Sequence, residues 1–114
     1  MVMVYLPAGK LHWTMHAKAK MGFYGLSESR VRRVLRNPRR IEEGVADKTF
    51  AVMQPPSTKR RDGKETWTQE IWVMAQKRGR TLHIISAWRY PGVAPQRNPI
   101  PEEIMTDLQK EGLV

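Results

Sequence analysis

The sequence predicts an α+β domain in which two N-terminal helices pack on one face of a roughly four-stranded antiparallel sheet, with a short C-terminal helix. Three observations favour this class. The chain has 114 residues, which suits a single hydrophobic core. Its apolar residues recur with a helical period before Pro38 and alternate after it. Helices that precede a run of strands are typical of α+β proteins.

Two segments before Pro38 have helical start and stop signals. The first runs from Thr14, a good N-cap, to about Met21, and Gly22 or Gly25 can end it. The second begins after the N-cap Ser27 and stops at Pro38. Its apolar residues form one stripe, made of Val31, Val34 and Leu35.

Three segments after Pro38 alternate like strands: Thr49–Met53, Thr66–Gln76 and Arg80–Tyr90. Gln54–Glu65 is expected to be a long polar hairpin loop, and Met1–Leu6 is a candidate edge strand. Strict alternation in the last strand separates two sets of side chains. One set is Leu82, Ile84, Ser86 and Trp88, and the other is His83, Ile85, Ala87 and Arg89. We therefore expect the second set to lie on the open face of the sheet.

The chain is expected to form one domain. Residues 1–90 supply its helices and sheet, and residues 91–114 supply a Pro-rich connector and a short acidic helix of the same domain. Pro101 suits a first helical position, and Ile104 and Leu108 are one turn apart on the helix that follows.

The composition excludes several classes of protein. Cysteine is absent, so disulfides, thiolate chemistry and cysteine zinc sites are excluded. The three histidines lack a ligand spacing, and we expect neither a metal nor another cofactor. No apolar run approaches the roughly 18 residues of a membrane helix, and no basic segment precedes the apolar start. We therefore expect no membrane partner, no secretory signal and a cytoplasmic location.

The charge is large and uneven. Twenty Lys and Arg against eleven Asp and Glu give a net charge of +9. Residues 1–40 contain nine basic side chains and one acidic side chain, so nearly all of the excess lies in the first third of the chain. Such an excess favours a polyanionic partner, with nucleic acid as the first candidate and an anionic membrane surface as the second.

Two basic patches are candidate nucleic-acid contacts. The first contains six arginines within eleven residues, namely Arg30, Arg32, Arg33, Arg36, Arg39 and Arg40. The second, in the polar loop, contains Lys59, Arg60 and Arg61. Guanidinium groups match phosphate oxygens in pairs, which favours phosphate binding. The alternatives are a solvated helix face and a mobile charged loop.

Three polar side chains of the last strand are candidates for metal-independent cleavage of a phosphodiester. His83, Arg89 and Tyr90 lie near one another on the last strand, and His16 and Lys20 share a helix face. Histidine or tyrosine would transfer protons, and arginine would stabilise the charge that develops on the phosphate. The alternative is that the histidines are structural and Arg89 is a surface ion-pair partner.

The segment HAKAKMGFYGLSESRVRRVLRNPRRIEEG, residues 16–44, resembles small bacterial domains of the RelE/ParE-like toxin superfamily, within the barnase–EndoU–colicin–RelE fold group. Its motifs are His16-Ala17, Leu26-Ser27 and Asn37-Pro38, and the resemblance extends to about Tyr90. Lys20 stands where these domains usually have arginine. The loop at 54–65 is unusually long, and the tail at 91–114 lies outside the pattern.

The resemblance implies a helix-covered sheet whose other face is often an RNA site. Its members include ribosome-dependent messenger-RNA nucleases, usually held inactive by an antitoxin, and gyrase poisons. The resemblance implies that metal-free catalysis would be supplied by His16, Lys20, His83, Arg89 and Tyr90. We therefore expect a basic RNA-directed toxin-like domain, and its activity would be that of a metal-independent endoribonuclease with an acidic antitoxin-like partner. The alternatives are a non-catalytic nucleic-acid-binding or regulatory domain of the same fold, and a protein-interaction module.

Overall fold

The computed structural model describes residues 10–43, 48–95, 101–110 and 112. It confirms the α+β class, with three helices and seven strands in these ranges. The candidate strand Met1–Leu6 lies outside them. In chain order the elements are β1 (Lys10–Trp13), α1 (Met15–Tyr24), α2 (Glu28–Arg36), β2 (Arg40–Glu43), β3 (Thr49–Gln54), β4 (Lys59–Arg61), β5 (Lys64–Thr66), β6 (Gln69–Arg78), β7 (Thr81–Pro91) and α3 (Glu102–Lys110).

The main sheet has five strands instead of four, in the order β1-β7-β6-β3-β2. Strand β1 is parallel to β7, and the other neighbours are antiparallel. The sequence did not indicate β1 or β2 because each has only four residues, too few to establish an alternating pattern.

The segment expected to be a loop at 54–65 contains the hairpin β4–β5. Asp62 and Gly63 form its two-residue turn, and both have positive φ, 52° and 77°. An Asp-Gly pair in this conformation is a strong hairpin signal, because its twist matches that of the flanking strands. Every residue of β4 is exposed, so its sequence lacks the apolar alternation that is typical of a half-buried strand.

Helices α1 and α2 begin and end at the expected signals. Thr14 caps α1 by accepting a hydrogen bond from the backbone N–H of Ala17. The helix continues past Gly22 and ends at Gly25, whose φ of 67° is the left-handed conformation that glycine adopts at low cost. Ser27 caps α2 in the same way, by accepting from the N–H of Arg30.

Each face of the main sheet carries a hydrophobic cluster. The first joins the buried residues of α1 and α2 to one face, through Val52, Ile71, Val73, Ala75, Leu82, Ile84 and Ala87. The second, on the other face, contains Trp72, Trp88 and the fully buried Ile104 and Leu108 of α3. The sheet face that we expected to be open is therefore covered in part by α3.

A β-bulge changes the alternation of β7. Ala75 pairs with Ile84 and Met74 pairs with Ser86, which leaves Ile85 as the extra residue. After the bulge, Ala87 lies on the face of α1 and α2, and Trp88 lies on the other. The expectation that four even-numbered residues share a face is therefore wrong beyond Ile84.

A buried carboxylate anchors the second cluster. Glu70 is fully buried and accepts hydrogen bonds from the indole N–H groups of Trp67 and Trp72, at 2.8 and 2.9 Å. It also accepts one from the backbone N–H of Ala94, at 3.1 Å. Glu70 thereby fixes the segment after β7 against the sheet.

No helix in the described ranges is long and apolar enough to cross a membrane.

Candidate nucleic-acid interface

Helix α2 turns four arginines away from the core. Its apolar stripe is fully buried, so the remaining positions face outward or to the sides. Arg33 and Arg36 are exposed, and Arg30 and Arg32 are half-buried on opposite flanks of the helix. The outer surface of α2 is therefore a row of guanidinium groups.

Arg89 extends this row from the sheet. Because of the bulge, it lies on the face of α1 and α2, directly opposite Ile71 on β6. Its Nε donates to the carbonyl oxygen of Tyr24 at 2.8 Å, and its Nη1 donates to Gln69 at 3.1 Å. These bonds hold the Arg89 side chain at the end of α1.

Arg30, Arg33 and Arg89 form what we call the guanidinium cluster. Burial, followed by the positive charges of Arg33 and Arg89, lowers the pKa of Arg30 from its usual value. A lowered pKa means that the charged form of Arg30 is disfavoured at this position. Three like charges are therefore brought together at this position.

The guanidinium cluster has no acidic partner among the residues that the structure describes. The ion pairs of those residues join other groups, and none includes Arg30, Arg33 or Arg89, nor the neighbouring Arg32 and Arg36. Uncompensated and partly desolvated arginines are well suited to bind an anion, because an incoming phosphate relieves their mutual repulsion and accepts hydrogen bonds in pairs.

Arg32 links the row to the edge of the sheet. Its guanidinium carbon lies 5.6 Å from the centre of the Trp13 ring, within the range of a cation–π contact. Trp13 belongs to β1, the edge strand next to β7. The basic surface therefore extends from Arg89 across α2 to β1.

Arg39 and Arg40 have structural partners. Arg39 forms an ion pair with Glu65, whose pKa is lowered to about 2 chiefly by this hydrogen bond. Arg40 pairs with Glu42 at 3.0 Å and donates to the carbonyl oxygens of Ala94 and Pro95. These two candidates are thus less available to phosphate than the four on α2.

The three basic candidates of β4 are exposed on the separate hairpin: Lys59, Arg60 and Arg61. Arg60 donates to the carbonyl oxygen of Gly63 in the turn. The Arg39–Glu65 pair connects this hairpin to the start of β2. The hairpin therefore presents a second exposed basic surface, next to the start of β2.

The predicted catalytic residues do not form one site. His83 and Arg89 lie on opposite faces of the sheet, so the expectation that they share a face is wrong. They are also six residues apart, roughly 20 Å along a strand. Tyr90 lies opposite Glu70, on the face of the second cluster.

His16 and Lys20 face α3. The ammonium group of Lys20 lies 2.8 Å from Asp107. This hydrogen bond is the main cause that lowers the pKa of Asp107, and the charge of His16 contributes to the same shift. The two residues therefore lie together along the contact between α1 and α3.

One pairing was missed by the sequence analysis. His12 on β1 lies directly beside His83 on β7, with ring centres 4.6 Å apart and ring planes inclined by 45°. His12 is exposed and His83 is half-buried. Recognition of β1 as a parallel partner of β7 would have been needed to find this pair.

No group of three or more metal-binding side chains occurs in residues 10–43, 48–95 and 101–110. No family model matches the chain, and no curated protein or solved structure matches it.

Proposed function

We propose that this chain is an RNA-directed toxin-like domain that binds the phosphate backbone through the outer surface of α2. The observation that carries the proposal is the guanidinium cluster, in which Arg30, Arg33 and Arg89 converge without an acidic partner in the described residues. Like charges held together without an acidic partner are most simply explained by an anionic ligand.

The length of the basic surface favours a polymer over a single small anion. Guanidinium groups continue from the cluster through Arg36 to Arg32 at the sheet edge, and the exposed hairpin adds more. A nucleic-acid backbone repeats its charge along such a surface, and contacts of this kind are independent of base sequence. RNA is preferred over DNA because of the resemblance to RNA-directed toxins.

The reversal of three charges on α2 tests RNA binding. Arg32→Glu, Arg33→Glu and Arg36→Glu, combined, change side chains that lie outside the buried stripe, so the fold should persist. We expect the affinity for a single-stranded RNA oligonucleotide at about 50 mM salt to fall by roughly 10²-fold or more. Affinity is measured by fluorescence anisotropy, and folding by circular dichroism.

A matched variant separates local contacts from net charge. Three exposed lysines outside the proposed surface, Lys48, Lys77 and Lys110, are replaced by glutamate for the same total change of charge. This variant should lose much less affinity than the arginine variant. Equal losses in both variants, or no loss in a folded arginine variant, would refute binding through α2.

The toxin-like role is tested by induced expression in bacteria. We expect growth arrest for the wild type and for the lysine variant, and normal growth for the arginine variant at equal protein levels. An acidic antitoxin-like protein would meet the same surface, and its coexpression should restore growth. Normal growth of cells that express soluble wild-type protein would contradict a toxin-like role while leaving RNA binding to be judged by the affinity measurement.

A further inference from the structure

The hairpin β4–β5 is a ribbon that is separate from the main sheet. Its two strands form a sheet of their own, joined by the two-residue turn at Asp62 and Gly63. All three residues of β4 are exposed, and so are two of the three residues of β5. The hydrophobic clusters of the domain contain none of these residues. The ribbon is therefore available for contact with a ligand.

The register of the strands gives the two faces of the ribbon different charges. Neighbours along a strand point to opposite faces, and residues paired across the strands share a face. Lys59, Arg61 and Lys64 therefore lie on one face, which we call the outer ribbon face. Arg60 and its partner Glu65 lie on the other face.

The face of Glu65 is turned towards the body of the domain. Glu65 is the residue of the two strands that is not exposed, and it forms an ion pair with Arg39, which directly precedes β2. The guanidinium carbon of Arg39 also lies 5.7 Å from the centre of the Trp67 ring. The indole N–H of Trp67 in turn donates to the buried Glu70. These contacts fix the base of the ribbon, so the outer ribbon face points to solvent.

The outer ribbon face concentrates positive charge. Arg61 and Lys64 are directly opposite each other across the strands, and like charges in this arrangement repel each other. In the part of the chain that the structure describes, no ion pair includes Lys59, Arg61 or Lys64. The acidic Asp62 lies in the turn, outside the two strands. An anionic ligand would relieve this repulsion.

We propose that the outer ribbon face binds duplex DNA in its major groove. The two strands of a β-ribbon are about 4.8 Å apart, and three residues of each strand extend over roughly 10 Å. The major groove of B-form DNA is about 12 Å wide and about 8.5 Å deep, and it admits a two-stranded ribbon. This inference goes beyond RNA binding by α2, because it concerns another element and another ligand.

The shape of the ribbon favours DNA over duplex RNA. The major groove of an A-form helix is deep and too narrow for side chains to read, and its minor groove is shallow. A ribbon is therefore excluded from the one groove and finds no walls in the other. The floor of the DNA major groove also presents the N7 and O6 acceptors of guanine, for which arginine and lysine are the usual donors. The outer ribbon face supplies these two side-chain types.

Affinity is measured for two duplexes of the same guanine-containing sequence, one of DNA and one of RNA, at about 50 mM salt. Phosphate contacts by α2 are common to both duplexes, whereas the ribbon enters only the DNA. The wild type should therefore bind the DNA duplex about 10-fold more tightly or better. Lys59→Ala, Arg61→Ala and Lys64→Ala, combined, should remove this preference. Circular dichroism and the melting temperature check that the variant is folded.

Two adjacent arginines of β4 provide a matched pair of single variants. Arg61→Ala and Arg60→Ala remove the same charge from neighbouring positions on opposite faces of the ribbon. Arg61→Ala should weaken binding of the DNA duplex by about 10-fold, and Arg60→Ala should weaken it much less. Neither variant should alter the affinity for the RNA duplex by more than the other does.

Chemical footprinting identifies the groove. Dimethyl sulfate methylates guanine at N7, in the major groove, and adenine at N3, in the minor groove. The wild type should protect guanine N7 and leave adenine N3 reactive. The variant with three charge reversals on α2 should keep this pattern once enough protein is added to saturate the DNA.

The outcomes separate this inference from the proposed function. Equal affinity of the wild type for the two duplexes, equal losses in Arg60→Ala and Arg61→Ala, or no protection of guanine N7 would each overturn groove binding by the ribbon. Any of these results would leave RNA binding by α2 intact, because that proposal is tested with single-stranded RNA and the α2 variant. Loss of N7 protection in the DNA-saturated α2 variant would also overturn the inference, since the ribbon of that variant is unchanged.

Discussion

Replacement of Glu70 should strongly destabilise the domain, because its carboxylate satisfies three N–H donors in the second hydrophobic cluster. One oxygen accepts from Trp72 and from the backbone of Ala94, and the other accepts from Trp67. Trp72 is fully buried, so its N–H cannot turn to water when the acceptor is removed. The same substitution also releases the segment after β7.

The magnitude follows from the number of donors left without a partner. Each buried donor that loses its acceptor costs about 1–3 kcal/mol. Glu70→Ala removes the acceptor of two buried donors, those of Trp72 and Ala94, and should reduce the free energy of unfolding by about 2–6 kcal/mol, with a smaller addition from the half-buried Trp67. Glu70→Gln keeps one acceptor oxygen for Trp72 and Ala94 but turns its amide towards the half-buried Trp67. It should cost about 1–3 kcal/mol.

Urea denaturation followed by tryptophan fluorescence measures both losses. The exposed Glu43 at the end of β2 offers a control, and Glu43→Ala should change the free energy of unfolding by no more than about 0.5 kcal/mol. Near-ultraviolet circular dichroism of Glu70→Ala should also lose intensity, because Trp72 and Trp88 are stacked in the same cluster. A Glu70→Ala protein as stable as Glu43→Ala would refute the anchoring role.

Three further results are expected. By thermal denaturation, Gly22→Ala should raise the free energy of unfolding by about 0.5–1 kcal/mol, because Gly22 is inside a helix and has open space around it. Gly25→Ala should lower the free energy of unfolding by about 1–2 kcal/mol, because the φ of Gly25 is positive. Lys20 lowers the pKa of Asp107 in the folded protein, so the contribution of Asp107 to stability is present above pH 3.8, its ordinary pKa, and is lost as the pH falls through the lower folded-state pKa. On acidification, the melting temperature of Asp107→Asn should therefore change less than that of the wild type. By NMR, His83 should titrate below its ordinary value of 6.5, and since its pKa falls on folding, protonation below pH 6.5 should reduce stability.

The sequence predicted the elements whose local signals agree with their packing. Ser27 and the buried stripe of α2 defined that helix, and the alternating pattern located β6 and β7, although in β7 the pattern fails beyond the bulge. The exposed hairpin β4–β5 and the short strand β1 have no such pattern. Formation of the hairpin depends on the conformation of its turn, and formation of β1 depends on pairing with a strand about 70 residues further along the chain.

The candidate site was predicted in part. The arginines of α2 followed from the helical period, because residues off the apolar stripe must face outward. The position of Arg89 could not be predicted, since one extra residue at Ile85 reverses every side chain beyond it. The His12–His83 pair also escaped prediction because it requires the parallel register of β1.

The slope of log affinity against log salt tests phosphate binding by the guanidinium cluster most directly. Each phosphate contact to single-stranded RNA contributes about 0.7 to this slope, so four arginine contacts predict a wild-type slope of about −3. Arg30→Ala combined with Arg33→Ala should reduce the slope by about 1.4 without lowering the melting temperature, because it removes like charges that repel each other. A folded double variant whose slope equals that of the wild type would contradict binding through this cluster.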